Sequence, residues 1–515
     1  MSTAPAHGQA ASPATVRRIQ VDIAKARAPL DRAFNFSVGA DYPGTLNRPA
    51  SLAQLRVAAS ELGFRYIRFH AVFHDVLGTV RVEEDKTVYD WGKIDALYDA
   101  FHAMGIRPFV ELGFTPQVMA TSPQTIFYWK GNTSHPEPKA WHALVDAFVR
   151  HLIARYGAAE VRRWYFEVWN EPNLAGFWEK ADQKAYFELY ENSARAIKAI
   201  DPRLRVGGPS TAGAAWVPEM LGFAAARNVP IDFVTTHTYG VDAGFLDEYG
   251  QDDNKLSTNP DAVTADVRRV RRQIAASKFP NLPLYFTEWS SSYNPRDPVH
   301  DSYISAAYIL DKLKAVRGFA QGMSYWTYSD LFEEAGPPPT PFHGGFGLMT
   351  RDGIRKSAWF AYKYLNELRG REVPSGDGET LIATQNGRTA VLLWDWRQPE
   401  QNVSNRPFFT KPIPAAAAAA AELRFSGLAP GGYRLTVRRT GYQANDAYTR
   451  YLEMGSPLTV DEAQRAELQN LTRDLPEKDL IVRVNATGRY SWPVPMRAND
   501  VILAVLEPVR NARRR

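Results

Sequence analysis

The sequence contains no cysteine. That excludes disulfides, thiolate zinc sites and a cysteine nucleophile. It also has no apolar run approaching the roughly 18 residues of a bilayer crossing, so no membrane partner is expected. Met1–Thr15 is rich in Ala, Ser and Pro and has no apolar h-region, so it is not expected to be an intact signal peptide. Ala6-His7-Gly8-Gln9-Ala10 leaves a processed leader open, and the expected location is cytoplasmic or periplasmic. A strong charge of one sign is missing too: the net charge is +5 over 515 residues. The compact basic runs are Arg268–Arg269, Arg271–Arg272 and the tail Arg513–Arg515. The first two fall in a helical pattern and read as a solvated face, which gives no nucleic-acid footprint. There is no G-x-G-x-x-G, no Walker A and no Gly-x-Ser-x-Gly elbow, which argues against dinucleotide, P-loop and α/β-hydrolase chemistry.

Aromatic residues, by contrast, are plentiful: 12% of the chain, with 13 Trp, 24 Tyr and 26 Phe. Trp and Tyr combine a flat apolar face with a polar edge, which suits sugar rings as well as ordinary cores. From about residue 34 to 365 one theme repeats: a short apolar run, a loop, then an amphipathic helical stretch. The strand candidates are Phe34–Gly39, Tyr66–Val72, Arg107–Leu112, Trp164–Asn170, Leu204–Gly207, Phe233–His237, Leu284–Thr287 and Gly322–Thr327. Eight such units predict a (β/α)8 TIM barrel, with an open doubly wound sheet as the rival. After about residue 370 short β-like runs separated by Gly, Pro and Asn predict an accessory antiparallel β-sandwich. Arg18–Ile23 alternates polar and apolar residues, the pattern of a half-buried antiparallel strand, and could complete that sandwich. The expected layout is therefore α/β overall: residues 1–15 flexible, 16–27 a strand joining the sandwich, 28–368 the barrel, 369–510 the sandwich with a short helix near 459–471, and 511–515 a basic tail. The alanine tract Ala415–Ala421 reads as a connector.

The chemistry concentrates at two strand ends. Trp164-Tyr165-Phe166-Glu167-Val168-Trp169-Asn170-Glu171-Pro172-Asn173 is strand-like and then stops at Asn-Glu-Pro. Pro172 cannot extend a ladder and is expected to push Glu171 towards an extended conformation. Three strands later Leu284-Tyr285-Phe286-Thr287-Glu288-Trp289 again ends in one Glu beside Trp. In barrel enzymes the C-terminal strand ends carry the reacting groups. Two carboxyl groups at one barrel mouth can do acid/base and nucleophilic work on an acetal. His70 and His74 lack a third partner for zinc, so no metal and no cofactor are expected.

These segments resemble the clan of (β/α)8 glycosidases with catalytic Glu on strands four and seven. More closely, they are similar to family 39 glycoside hydrolases, the β-xylosidase and α-L-iduronidase family. The likeness runs through Tyr89-Asp90-Trp91, Arg107-Pro108-Phe109-Val110-Glu111-Leu112-Gly113-Phe114, the Asn170-Glu171-Pro172 segment, Tyr325-Trp326-Thr327-Tyr328-Ser329-Asp330, Phe332-Glu333-Glu334 and Phe342-His343-Gly344-Gly345-Phe346-Gly347-Leu348. It extends more weakly to Tyr451-Leu452-Glu453-Met454-Gly455-Ser456-Pro457. The resemblance implies a retaining hydrolase with Glu171 as acid/base and Glu288 as nucleophile, their carboxyl groups about 5–5.5 Å apart. Ionised Glu288 is expected to raise the pKa of Glu171. It further implies substrate contacts from His70, Asn170, His237, Tyr239, Tyr293, Trp326 and Glu334. The expected substrate is a small β-xylo-oligosaccharide; an iduronidase-like or arabinosidase activity is the alternative, and a non-catalytic carbohydrate-binding protein the rival of another class. The Glu333-Glu334 pair argues weakly against an anionic sugar. Monomer and homo-oligomer both remain open.

Overall fold

The computed structural model describes residues 16–509. The expectations of a flexible segment at 1–15 and a basic tail at 511–515 lie outside the described residues. Eight parallel strands close into one barrel, which disposes of the open-sheet rival. In chain order they are Ser37–Ala40, Tyr66–Phe69, Arg107–Leu112, Tyr165–Val168, Arg205–Thr211, Phe233–Tyr239, Leu284–Ser290 and Gly322–Tyr325. The helices between them cover the outside; Pro138–Tyr156 and Gln183–Ile200, for example, bury Phe148 and Tyr190 against the strands. No described helix is long and apolar enough to cross a membrane.

Side chains alternate along each strand, so every second residue points into the barrel. Phe109, Tyr165, Phe233 and Tyr285, with Phe36, form an aromatic plug across the N-terminal end of the barrel. Tyr66 packs against this plug. Two residues beyond Tyr66, Phe109, Tyr165 and Tyr285 come Arg68, Glu111, Glu167 and Thr287, and the barrel interior turns from apolar to polar and charged in that single step. The outward residues, such as Ile67, Val110, Phe166 and Phe286, are buried under the helices.

The C-terminal strands make two sheets. Six strands pair antiparallel in the order Arg371–Glu372, Thr380–Gln385, Arg388–Trp394, Val501–Pro508, Gly431–Thr440, Lys478–Val484. Three more form the facing sheet: Arg17–Asp22, Ala421–Ser426 and Tyr490–Val494. Ile19, Val21, Leu423 and Phe425 meet Val391, Leu435 and Ile502 in the core between them. Arg17–Asp22 runs parallel to Ala421–Ser426, which corrects the antiparallel expectation. Alternation reports that one face is buried and says nothing about the direction of the neighbour. The alanine tract is likewise more than a connector. Ala417 bridges Arg497, and Ala421 starts the strand that pairs with both neighbours. The helix expected near 459–471 spans Glu462–Leu471 behind an Asp461 capping box.

Candidate active site

Two bulges aim the site. On the seventh strand the ladder shifts between Phe286 and Glu288, leaving Thr287 as the extra residue. Thr287 and Glu288 can therefore both face the interior, which strict alternation forbids. The strand continues to Ser290 instead of stopping at Thr287. On the fifth strand a shift falls between Pro209 and Thr211. The carbonyl of the intervening Ser210 accepts the Glu171 amide at 2.8 Å. Glu171 itself corrects the extended expectation: its φ is +44°, in the left-handed region, and Trp169 sits at +69°. Proline limits the residue before it mainly in ψ, so a positive φ is open to Glu171 if its surroundings enforce it. Here they do. The Trp169 amide donates to Leu112 O at 3.0 Å and its indole to Phe177 O at 2.7 Å, and Leu174 N closes a turn on Glu171 O at 3.0 Å.

Arg68 is the hub. It is fully buried on the second strand, and its Nε donates to Glu167 Oε2 at 2.5 Å. Its Nη1 donates to Glu288 Oε1 at 2.7 Å, and its Nη2 to Asn170 Oδ1 at 2.8 Å and to Ser210 Oγ at 3.2 Å. Glu111 lies 2.9 Å from Nη2. The second oxygen of Glu288 accepts from Tyr239 at 2.7 Å. Glu288 is thus fixed through both oxygens. Because Asn170 must turn its oxygen to Arg68, its Nδ2 faces elsewhere, and that buried donor has no protein partner. Asn170 lines the cavity.

The proton positions follow from the hydrogen bonds. The Thr287 hydroxyl donates to Glu167 Oε1 at 2.7 Å, so towards His237 Nε2, 3.2 Å away, it can only accept. His237 therefore carries its proton on Nε2, and its bare Nδ1 faces Glu171 Oε1 at 2.9 Å. Burial lowers the His237 pKa to about 4, keeping the ring neutral. Burial also raises Glu171 to about 7, so its carboxyl can donate to that nitrogen. The expected cause was the charge on Glu288. The cause is burial, with Glu111 as the contributing carboxylate and His70 and Arg68 opposing it. The charge of Glu288 is already met by Arg68 and Tyr239.

A carboxylate oxygen of Glu171, one of Glu288 and a ring nitrogen of His237 all lie within 4.8 Å of one another. Among the described residues this is the one trio with donors spaced for a metal ion, but Arg68 already brings positive charge to the same carboxylates. The nearest oxygens of the two carboxyl groups are thus close enough for both to reach one anomeric centre.

The expected contact residues come together around a cavity of about 640 Å³, lined by His70, Asn170, Glu171, Tyr239, Glu288, Tyr293, Trp326 and Glu334 among others. His237 stands behind Glu171 and is absent from the lining. Trp326 packs on His70, ring centroids 4.7 Å apart, and needs Gly39 beneath it, where a Cβ would lie 2.1 Å from Cε3. His70 Nδ1 meets Glu111 at 2.8 Å and its Nε2 lies 3.2 Å from Glu334, and the Glu111 carboxylate raises its pKa against burial. Burial raises Glu334 to about 8. Glu333 points away and pairs with Arg48 at 2.5 Å. The acidic pair thus reduces to one mostly neutral carboxyl in the cavity. Phe346 is held by a buried lysine: Lys356 donates to Gly345 O at 2.8 Å and pairs with Asp301 and Asp330, which accept the amides of Gly344 and Gly347. Of the loop aromatics, Phe177 walls the cavity. Trp129 and Trp178 instead pack beneath it, on Tyr42 and Trp169.

Sequence reasoning missed Arg68, Glu111 and Glu167. Each is a charge inside an apolar strand, at the alternation step that faces the barrel, and that was the available signal.

The family model for glycosyl hydrolases family 39 matches residues 17–491. A β-xylosidase of Geobacillus stearothermophilus is 41% identical over 379 residues, covering 72% of this chain and 75% of its own. The GH39 enzyme of Xanthomonas axonopodis pv. citri superposes with a TM-score of 0.96 at 65% identity, over 97% of this chain and 98% of its own. A monomeric β-xylosidase of Caulobacter crescentus CB15 does so with 0.95 at 62% identity, over 96% and 100%.

Proposed function

The chain belongs to glycosyl hydrolase family 39, and from that premise we propose that it is a retaining β-xylosidase, releasing xylose from the non-reducing end of short xylo-oligosaccharides. The observation that carries the mechanism is the close pair Glu171 and Glu288 at the floor of the cavity. Glu288, held through both oxygens, attacks the anomeric carbon while the C–O bond to the leaving group breaks. Glu171 gives its proton to the departing oxygen. In the second step water attacks the glycosyl ester, Glu171 takes the proton of that water, and Glu288 is released. The lone pair of His237 Nδ1 faces Glu171 in both steps; it accepts a hydrogen bond from the protonated carboxyl before cleavage, the proton staying on Glu171, and disfavours the carboxylate afterwards, which keeps Glu171 a ready base. Asn170 Nδ2 supplies the free donor, by family likeness to the sugar 2-hydroxyl. Buried His70 and Trp326, with half-buried Glu334, line the inner side, which supports a terminal sugar beyond the cleaved bond.

The iduronate alternative is disfavoured by the lining. A uronate carboxylate wants a positioned Arg or Lys, and neither is among the residues lining the cavity. The cationic His70 is already engaged by Glu111 and Glu334. A panel of aryl β-xyloside, α-arabinosides, β-glucoside, β-galactoside and α-iduronide tests the sugar, and NMR of the first product tests the stereochemistry. The β-xyloside is expected to be hydrolysed fastest, with β-xylose appearing first. Preference for another glycoside would overturn the sugar; α-xylose appearing first would overturn the mechanism.

The pH profile is a separate prediction. With Glu171 at about 7, the acid is present below that pH and lost above it. kcat/KM for xylobiose is expected to fall about tenfold per pH unit above about 7, since it reports the free enzyme. In Glu171→Gln, assayed with an activated aryl xyloside that needs no acid, this limb should vanish. A limb that survives the substitution would assign it to another group.

A further inference from the structure

The accessory module reaches the barrel mouth. Between Trp394 and Ala421 its chain leaves the sheets and forms the short helix Asn405–Phe409. Asn405 is buried there and ties two barrel loops. Its Oδ1 accepts Leu256 N at 2.8 Å, and its Nδ2 donates to Asp297 Oδ2 at 2.8 Å. Asp297 in turn accepts Val299 N at 3.1 Å. Next to it, Ser404 Oγ donates to Leu246 O at 2.9 Å, Arg406 N donates to Asp253 Oδ2 at 2.8 Å, and the Arg406 guanidinium pairs with Asp247. One tied loop is thus the hairpin Val241–Leu246 and Asp252–Leu256, which follows the sixth strand; the other follows the seventh strand after Glu288.

These loops carry Val241, Tyr293 and Pro295 of the cavity wall. Tyr293 is 47% exposed, whereas Glu171 and Glu288 are buried. Its ring therefore stands at the rim, on the side from which a leaving group departs. Few side chains could replace Asn405, because the position must accept from the Leu256 amide and from Gln401 Nε2, 2.9 Å away, and donate to a carboxylate at once. Losing the Leu256 or the Asp297 bond strands a buried polar group.

We propose that Asn405 is a positioning residue for the leaving-group side of the pocket: the accessory module sets the wall against which the aglycone rests, and the barrel alone sets the chemistry on the sugar. This rests on the xylosidase reading above. A reciprocal exchange tests it. In Asn405→Asp two carboxylates meet in a dry site and repel. In the Asn405→Asp/Asp297→Asn pair, the new carboxylate accepts from Leu256 N–H and from the new amide, whose oxygen keeps Val299 N–H.

Two readouts separate position from chemistry. Amide hydrogen exchange follows residues 241–256 and 291–299. Kinetics compare xylobiose with β-xylosyl fluoride, whose leaving atom is too small to reach the wall. Asn405→Asp is expected to speed exchange in those two segments and to raise KM for xylobiose about tenfold, the size of a lost charge-assisted hydrogen bond. Its kcat and KM on the fluoride should stay within about twofold of the parent, and the reciprocal pair should recover both readouts. Unchanged exchange in Asn405→Asp, equal losses on both substrates, or a pair no better than the single variant would each overturn the proposal. An enzyme that cleaved neither xylose substrate would count against the xylosidase reading, and exchange alone would then decide the role of Asn405.

Discussion

Glu288→Gly is expected to lower kcat/KM on β-xylosides by about 10⁵-fold, in the range seen when a catalytic nucleophile is removed. Glu171→Gln should likewise abolish turnover of xylobiose, whose leaving oxygen needs a proton. Azide then distinguishes the two roles by product. In Glu288→Gly the anion fills the vacated space and displaces the leaving group directly, so the product is the α-xylosyl azide. In Glu171→Ala the glycosyl ester on Glu288 still forms from an activated aryl xyloside, and azide attacks it from the opposite face. That product is the β-xylosyl azide. Mass and NMR of the two azides make the test, and the same anomer from both variants would refute the assignment.

Arg68→Met carries the second large effect. The guanidinium faces Glu111, Glu167 and Glu288 with no solvent to replace it. Removing one partner of a buried ion pair costs about 3–5 kcal/mol, because the other charge is left uncompensated. Three carboxylates share Arg68, so the loss should reach at least about 3 kcal/mol in a denaturant titration. Arg68→Lys keeps the charge but not the fork geometry. It should fold, yet lose on the order of 10²-fold in kcat/KM through misplacement of Glu288 and Asn170. A Met variant as stable as the parent would show that the charged layer does not depend on Arg68.

The pair proposed to be catalytic stands out in the sequence because Asn-Glu-Pro and Thr-Glu-Trp each follow a dense apolar run. The layer beneath it was not. Arg68, Glu111 and Glu167 become one cluster only through the parallel register that sets Glu111 beside Glu167, and register is not written in any one strand. Both bulges were hidden for a related reason. Thr287 and Ser210 look like ordinary strand residues until their neighbours are aligned. The acidity of Glu171 was expected from a nearby charge and comes from burial, since Arg68 and Tyr239 were not known to hold Glu288. In the accessory module, Ala421–Ser426 alternates cleanly but adjoins the alanine tract, which masked its start. Asn405 gave no local signal: its importance lies in two loops more than a hundred residues away in the chain.

The parallel pairing of Arg17–Asp22 with Ala421–Ser426 also sets a schedule for synthesis. Arg17 leaves the ribosome 404 residues ahead of its partner Ala421 (421 − 17). At about 5–20 residues per second, that strand waits on the order of 20–80 s without its sheet partner. The barrel strands are all made within that interval. Nascent chains of this protein therefore pass through a stage in which the enzyme's barrel is complete while its first strand is still an exposed, half-apolar edge, open to chaperones and to other copies alike.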